Sequence, residues 1–171
     1  VPVGSAPKAT VHTADTPLHL GFSCYLFDPA GQLLLTRRAL TKQTWPGVWT
    51  NSFCGHPGLD EELPDAVRRR AREELGAELT EIRAVLPDFR YRAVDASGVV
   101  ENEICPVFTA VLTSELDPVH AEVSEFMWAD APALQRAVTD VPFAFSPWMV
   151  EQLAEMDRLE SPRQSGAGAP A

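Results

Sequence analysis

A chain of 171 residues, 45% hydrophobic and 22% charged, has the size and composition of one soluble globular domain with a substantial core. With 14 basic against 24 acidic side chains the formal net charge is -10, which argues against a broad nucleic-acid surface but leaves room for a small anion gripped by a few arginines. No stretch is apolar enough to span a bilayer and no signal peptide is visible; three cysteines, an odd number, speak for reduced thiols in a cytosolic protein rather than a disulfide framework.

In chain order, residues 1–10 are small and Pro-containing and read as a flexible arm. Leu18 to Phe27 reads as a strand, Asp28-Pro-Ala-Gly31 as a turn, and Gln32 to Arg38 as a second strand closing a hairpin. Thr41 to Gly47 is a loop, and Trp49 to Phe53 is extended. Glu61 to Leu75 is the clearest helix: Pro64 suits a first turn, acidic residues crowd the start, and Gly76 suits the stop. Residues 80–86, 88–93, 103–113 and 124–129 read as strands, and Ala131 to Val138 as a short helix. Ser146-Pro147 opens a final helix to about Leu159. The tail, 161–171, is rich in small residues and reads as disordered. The expected fold is α/β, a mixed β-sheet sandwich flanked by helices, in a single domain over 11–160.

The chemistry gathers at a few places. Glu101 and Glu103 lie one residue apart in an apolar, β-favouring run, so on a strand both carboxylates face one side. Buried charges need a partner, and a divalent metal is the obvious candidate. His12, His19 and His56 add imidazoles, a good set with carboxylates for Mn²⁺ or Zn²⁺. Taken singly, each His is more often a surface or satisfied core residue, and His120 reads as surface. Cys54 lies two residues before His56, so in an extended segment thiol and imidazole share a face; the thiol serves there either as an acid/base group or as a small buried hydrophobe. Arg70 and Glu74 are i and i+4 on the helix, either a solvated ion pair or a phosphate-binding guanidinium beside a metal-binding carboxylate. Arg68 and Arg69 read as solvated charge. Arg38 and Lys42 flank the hairpin exit and can clamp a further anionic group. Trp148 either packs the core or offers a π-face to a cation.

These segments together resemble a known family. Gly55-x5-Glu61-x7-Arg69-Arg70-Ala71-x-Glu73-Glu74-x-Gly76 resembles a Nudix box, with Arg70 standing where hydrolytic members carry Glu. Around it stand His12-Thr-Ala-Asp-Thr-Pro-Leu-His19, Thr44-Trp-Pro-Gly-Val-Trp-Thr-Asn-Ser-Phe-Cys54-Gly-His56-Pro57, Asp88-Phe-Arg-Tyr91-Arg, Glu101-Asn-Glu103-Ile-Cys-Pro-Val-Phe and Phe145-Ser-Pro-Trp148. From about Lys8 to the final helix the chain is similar to the bacterial type 1 isopentenyl-diphosphate Δ-isomerases of the Nudix superfamily. The resemblance implies a Nudix-like fold and a cytoplasmic isomerase that acts on a small diphosphate, without nucleic acid or membrane, as a monomer or weak homodimer. It implies Mn²⁺ or Zn²⁺ on His12, His19, His56, Glu101 and Glu103, and Mg²⁺ held by Glu74 against the substrate. Arg38, Lys42, Arg70 and Lys8 match diphosphate-binding positions. Cys54 and Glu103 match the catalytic pair, Tyr91 an assisting hydroxyl, and Trp148 the aromatic near the cation; the acid is then either the thiol or Glu103 relayed through Tyr91, and the sequence does not assign the direction. The alternative is a Nudix-type diphosphate hydrolase, against which Arg70 counts.

Overall fold

The structure, a computed structural model, describes Gly4 and residues 11–160. Lys8 and the tail at 161–171 lie outside the described residues, as does the N-terminal arm apart from Gly4. Among the described residues the strands form two sheets. The smaller has the order β1 (His19–Leu20), β8 (Val100–Ile104), β7 (Arg90–Val94). The larger runs β10 (Val123–Ala129), β3 (Leu33–Arg38), β2 (Phe22–Phe27), β9 (Val107–Leu112), β6 (Leu79–Leu86). Two short strands attach to it, β4 (Trp49–Thr50) on β3 and β5 (Phe53–Gly55) on β2. Most pairings are antiparallel; β1 with β8 and β2 with β9 are parallel.

Two expected strands are each broken, at matching places. The run 18–27 divides at Gly21 into β1 and β2, and the run 103–113 divides at Cys105-Pro106 into β8, which starts earlier at Val100, and β9. Pro106 has no N–H to give a ladder, and Gly21 lets the backbone pass close under a neighbour. Both chains leave the small sheet and enter the large one side by side, tied by Gly21 N to Ile104 O at 2.9 Å and Ser23 N to Pro106 O at 3.1 Å. The fork between the sheets is where the site forms.

The large sheet is buried on both faces by strand alternation. In β2, Phe22, Cys24 and Leu26 enter one core with Ala66, Val67, Ala71 and Leu75 of α1 (Leu63–Leu75). Tyr25 enters the other, with Leu134 and Val138 of α2 (Ala131–Asp140) and Trp148, Met149 and Leu153 of α3 (Pro147–Glu160). Each large apolar side chain so buried contributes about 1.5–3 kcal/mol. Helix α1 begins with Pro64 in its first turn and stops at Gly76, whose left-handed φ of 61° lets its N–H and that of Ala77 turn back onto Arg72 and Ala71 carbonyls. The buried face of α1 also carries Arg70 and Glu74. Asp130 caps α2 by accepting from Ala133 N at 2.8 Å. Ser146 precedes α3, where its carbonyl takes the Val150 N–H and its hydroxyl meets Thr50 Oγ1 at 2.7 Å. No helix among the described residues is long and apolar enough to cross a membrane.

Candidate active site

Strand β8 carries Glu101 and Glu103 to one face, both buried. Parallel pairing sets His19 opposite Glu103, and β5, paired antiparallel to β2, delivers His56 to the same fork. His12 arrives on a segment held by Val100 N to Thr13 O at 2.8 Å. The three imidazole centroids lie 5.1, 5.8 and 5.1 Å apart. One ligand atom from each of His12, His19, His56 and Glu103 falls within a group whose members are all within 4.8 Å of one another. Glu103 Oε1 lies 3.1 Å from His56 Nε2 and 3.4 Å from His19 Nε2. Glu101 stands alongside: Oε2 is 3.4 Å from His12 Nε2, while Oε1 accepts from Thr44 Oγ1 at 2.7 Å.

This donor set fits a metal ion. His19 Nδ1 lies 2.9 Å from the Pro17 carbonyl, which can only accept, so Nδ1 carries a proton and Nε2 is the nitrogen turned to the cluster. His12 Nε2 and His19 Nε2 are buried without a hydrogen-bond partner, as is His56 Nδ1. Buried ring nitrogens of this kind carry a cost unless something pairs with them. Burial opposes ionisation of Glu103, but hydrogen bonds and attraction from His19 and His56 outweigh it and hold the carboxyl well below its usual range. Burial likewise works to lower the His19 pKa, and the Glu103 carboxylate, the Pro17 carbonyl and Glu101 raise it on balance.

The cluster opens into a cavity of about 500 Å³. His12, Arg38, Lys42, Cys54, His56, Glu74, Tyr91, Glu101, Glu103 and Trp148 all line it, together with Phe53. His19 belongs to the imidazole group but not to the cavity wall. The Cys54 sulfur lies 3.4 Å from Ser23 Oγ and donates to Asn51 Oδ1 at 3.4 Å. Burial pushes its thiol up to about 11, against the opposing hydrogen bonds. Trp148 is 2% exposed, packs edge-on against Trp45 at 5.4 Å, and has the Arg38 guanidinium 5.4 Å from its ring centroid. Arg38 is anchored by the Thr44 carbonyl, at 3.0 and 2.9 Å.

Tyr91 differs from expectation. It pairs in register with Glu103, but its hydroxyl reaches past it to donate to Glu101 Oε2 at 3.4 Å. A relay from Glu103 through Tyr91 is therefore absent among the described contacts. Burial, then the nearby Glu103 and Glu101 carboxylates, drive the phenol well above its ordinary pKa, so it remains a donor.

The far end of the cavity is a mosaic of charge. Arg70 and Glu74 form an ion pair buried on both sides, not a solvated one. Arg70 also bonds Glu73 at 2.9 Å and sits behind the cavity wall rather than in it. Glu122 lines the cavity, pairs with Lys42, and comes within 3.8 Å of Arg70. Arg69 is partly exposed, but it does more than face solvent. Its fork holds Glu61 at 2.8 Å through two nitrogens and the His56 carbonyl at 3.1 Å, clamping the segment that carries His56.

Sequence reasoning passed over Glu122, Thr44 and Asn51, and saw in Arg69 only an exposed ion pair, without its bond to the His56 carbonyl. Glu122 sits in a polar loop with no periodic signal, and Thr44 and Asn51 lie in irregular segments where spacing predicts no face. For Arg69 helical spacing gave no signal either, since its partner Glu61 lies ahead of helix α1 and folds back onto it. His120 is exposed, as expected.

A basic and acidic helix docked beside a glycine-turned strand, over a mixed sheet with helices on both faces, defines the class: a NUDIX domain is matched over residues 17–149, and the chain belongs to that family. The fold is similar to that of the MutT protein from Methanosarcina mazei Go1, with a TM-score of 0.63 at 19% identity over 85% of this chain and 96% of that one. At the level of sequence the chain is similar to proteins named isopentenyl-diphosphate Delta-isomerase. It is 63% identical over 151 residues to that of Clavibacter michiganensis subsp. michiganensis, covering 88% of this chain and 78% of the relative. To that of Leifsonia xyli subsp. xyli it is 57% identical over 167 residues, covering 96% and 90%.

Proposed function

We propose that this protein interconverts isopentenyl diphosphate and dimethylallyl diphosphate by adding one proton and removing another through a tertiary carbocation. One observation carries the reading: Cys54 and Glu103 line a single cavity whose walls also hold an indole, Lys42, Arg38 and Glu74. The relatives named isopentenyl-diphosphate Delta-isomerase support the substrate.

The diphosphate lies at the charged end, gripped by Arg38 and Lys42, with Arg70 behind them. Arginine and lysine there hold the anion and keep it from leaving once the product, an allylic diphosphate, has formed. The branched hydrocarbon then lies between Cys54, Phe53 and Trp148. Cys54 enters as a thiol, its S–H on Asn51, and Glu103 as a carboxylate. In the forward direction the thiol delivers its proton to C4, the positive charge rests on C3, and Glu103 takes a proton from C2; the reverse reaction exchanges the two roles. Phe53 and Trp148, each 2% exposed, keep water from the cation, and the indole face steadies it. Tyr91 and Thr44 orient Glu101. Mn²⁺ or Zn²⁺ on His12, His19, His56 and Glu103 with Glu101, and Mg²⁺ on Glu74 beside the diphosphate, would supply positive fields that keep the carboxylates ionised and neutralise the phosphates.

The test is to incubate metal-supplemented protein with isopentenyl diphosphate in deuterium oxide. Deuterium is expected in the dimethylallyl product, and Cys54→Ala is expected to fold and bind substrate but not turn it over. Phosphate release without an isomer would sink the reading in favour of a diphosphate hydrolase.

A further inference from the structure

Asn51 lies in the turn between β4 and β5, is 0% exposed, and does not line the cavity. Every polar atom of its side chain is nevertheless engaged. Nδ2 donates to the Cys24 carbonyl at 3.1 Å and the Phe53 carbonyl at 2.8 Å. Oδ1 accepts from Trp148 Nε1 at 2.9 Å, Thr50 Oγ1 at 2.9 Å and the Cys54 thiol at 3.4 Å. The orientation of the amide is unambiguous on chemical grounds. An indole N–H only donates and a peptide carbonyl only accepts, so oxygen must face Trp148 and nitrogen the two backbones.

All three donors on that oxygen line the cavity, Thr50 among them, and two, Trp148 and Cys54, carry the proposed chemistry. They come from elements distant in sequence, α3 and β5, and one atom ties them together. The nitrogen end fastens the same amide to β2, which leaves the fork between the sheets, and to β5, which delivers His56 to it. A buried amide with every donor used is costly to displace, which makes it a rigid reference point.

We propose that Asn51 is a positioning residue: its Oδ1 sets the Cys54 sulfur against the Trp148 ring, so that thiol and π-face address the same part of the substrate. The proposal rests on the isomerase reading for its catalytic consequence. Asn51 makes no contact with substrate, so its loss affects the geometry of the reacting groups and not the grip on the diphosphate.

The experiment compares the wild type with Asn51→Ala, Asn51→Ser and, as a control, Ser146→Ala. Serine is too short to span from the β4–β5 turn to both Trp148 and Cys54, so it reads the same geometry should alanine fold poorly. Ser146→Ala cuts the far side of the same buried network, the Thr50 contact at 2.7 Å, without touching Cys54 or Trp148. The Asn51 variants are expected to lower kcat about 100-fold with KM within about twofold, the scale of an ångström-sized misplacement of reacting groups. Ser146→Ala is expected to lower the melting temperature with kcat unchanged. In ¹⁵N-labelled protein the Trp148 indole N–H resonance is expected to shift in the Asn51 variants and stay in place in Ser146→Ala. The proposal is overturned if kcat is unchanged, if KM rises alone, if Ser146→Ala loses kcat as much, or if the indole resonance does not move. A wild type that fails to isomerise its substrate refutes the isomerase reading instead, and the indole resonance then still tests the tie.

Discussion

Gly21→Ala probes how tightly the fork is built. A Cβ at Gly21 would lie 2.8 Å from Glu103 Cδ, and closer still to Oε2. Carbon atoms settle at about 3.5–4.0 Å, so the carboxylate must retreat by about 1 Å. The obstacle is the end of a side chain, not backbone, so β1 and β2 keep their places. Overpacking of this kind costs about 1–3 kcal/mol, and the loss of glycine's freedom in the unfolded chain returns about 0.4–1 kcal/mol. Net destabilisation is therefore about 1 kcal/mol, or about 2–4 °C in melting temperature. The effect on function is larger. Glu103 Oε1 lies 3.1 Å from His56 and 3.4 Å from His19, and a 1 Å retreat breaks both approaches. Turnover is expected to fall about 100-fold, equivalent to about 2.7 kcal/mol in the barrier. Thermal melts and product formation followed by proton NMR measure the two quantities on one preparation. A variant that melts a few degrees lower but turns over at the wild-type rate would refute the claim that Gly21 is there to make room for Glu103.

Three further outcomes are expected. Arg69→Met releases the His56 carbonyl and the Glu61 fork; because these groups are partly exposed, stability should fall by only about 1–2 kcal/mol, while Mn²⁺ or Zn²⁺ affinity falls about 10–100-fold by calorimetric titration. Unchanged metal affinity would show that the clamp does not orient His56. Glu61 is held at about 2, chiefly by the Arg69 fork and then by the Gly58 N–H, against an ordinary 4.5. A depressed folded-state pKa means that its contribution is complete above about pH 4.5 and fades as the pH falls towards 2. The stability gap between wild type and Glu61→Gln, measured by urea unfolding, should shrink across that window, and a gap constant from pH 6 to 3 would contradict it. Finally, Mn²⁺ or Zn²⁺ at about 100 times its dissociation constant should stabilise the chelator-treated protein by about 2.7 kcal/mol, roughly 5–11 °C, and His19→Gln should abolish the rise. Equal rises in the two proteins would place the ion elsewhere.

Local chemistry made much of the fold legible. Helix α1 was readable because Pro64, the acidic first turn and Gly76 act within a few residues of where they sit. The i, i+2 spacing of Glu101 and Glu103 was enough to put both on one face of a strand, since side chains alternate along any strand. What spacing could not show was where a strand changes sheets. The runs 18–27 and 103–113 are each mostly apolar, and their breaks at Gly21 and Pro106 make sense only once the two segments lie in parallel.

The amino-acid sequence by itself determined which groups were available: three imidazoles, paired carboxylates, a thiol beside one histidine, and a basic-acidic helix face. Their identity and short-range spacing are properties of the covalent chain. Tertiary structure alone decided which of them meet. Tyr91 reached Glu101 instead of Glu103, Arg70 was sealed behind Glu74 and Glu122, and Asn51 joined Trp148 to Cys54. The longest of these contacts, Asn51 to Trp148 and Arg70 to Glu122, join segments tens of residues apart. They are chosen by the need to satisfy every buried polar atom at once, a condition on the packed whole that no stretch of sequence states alone.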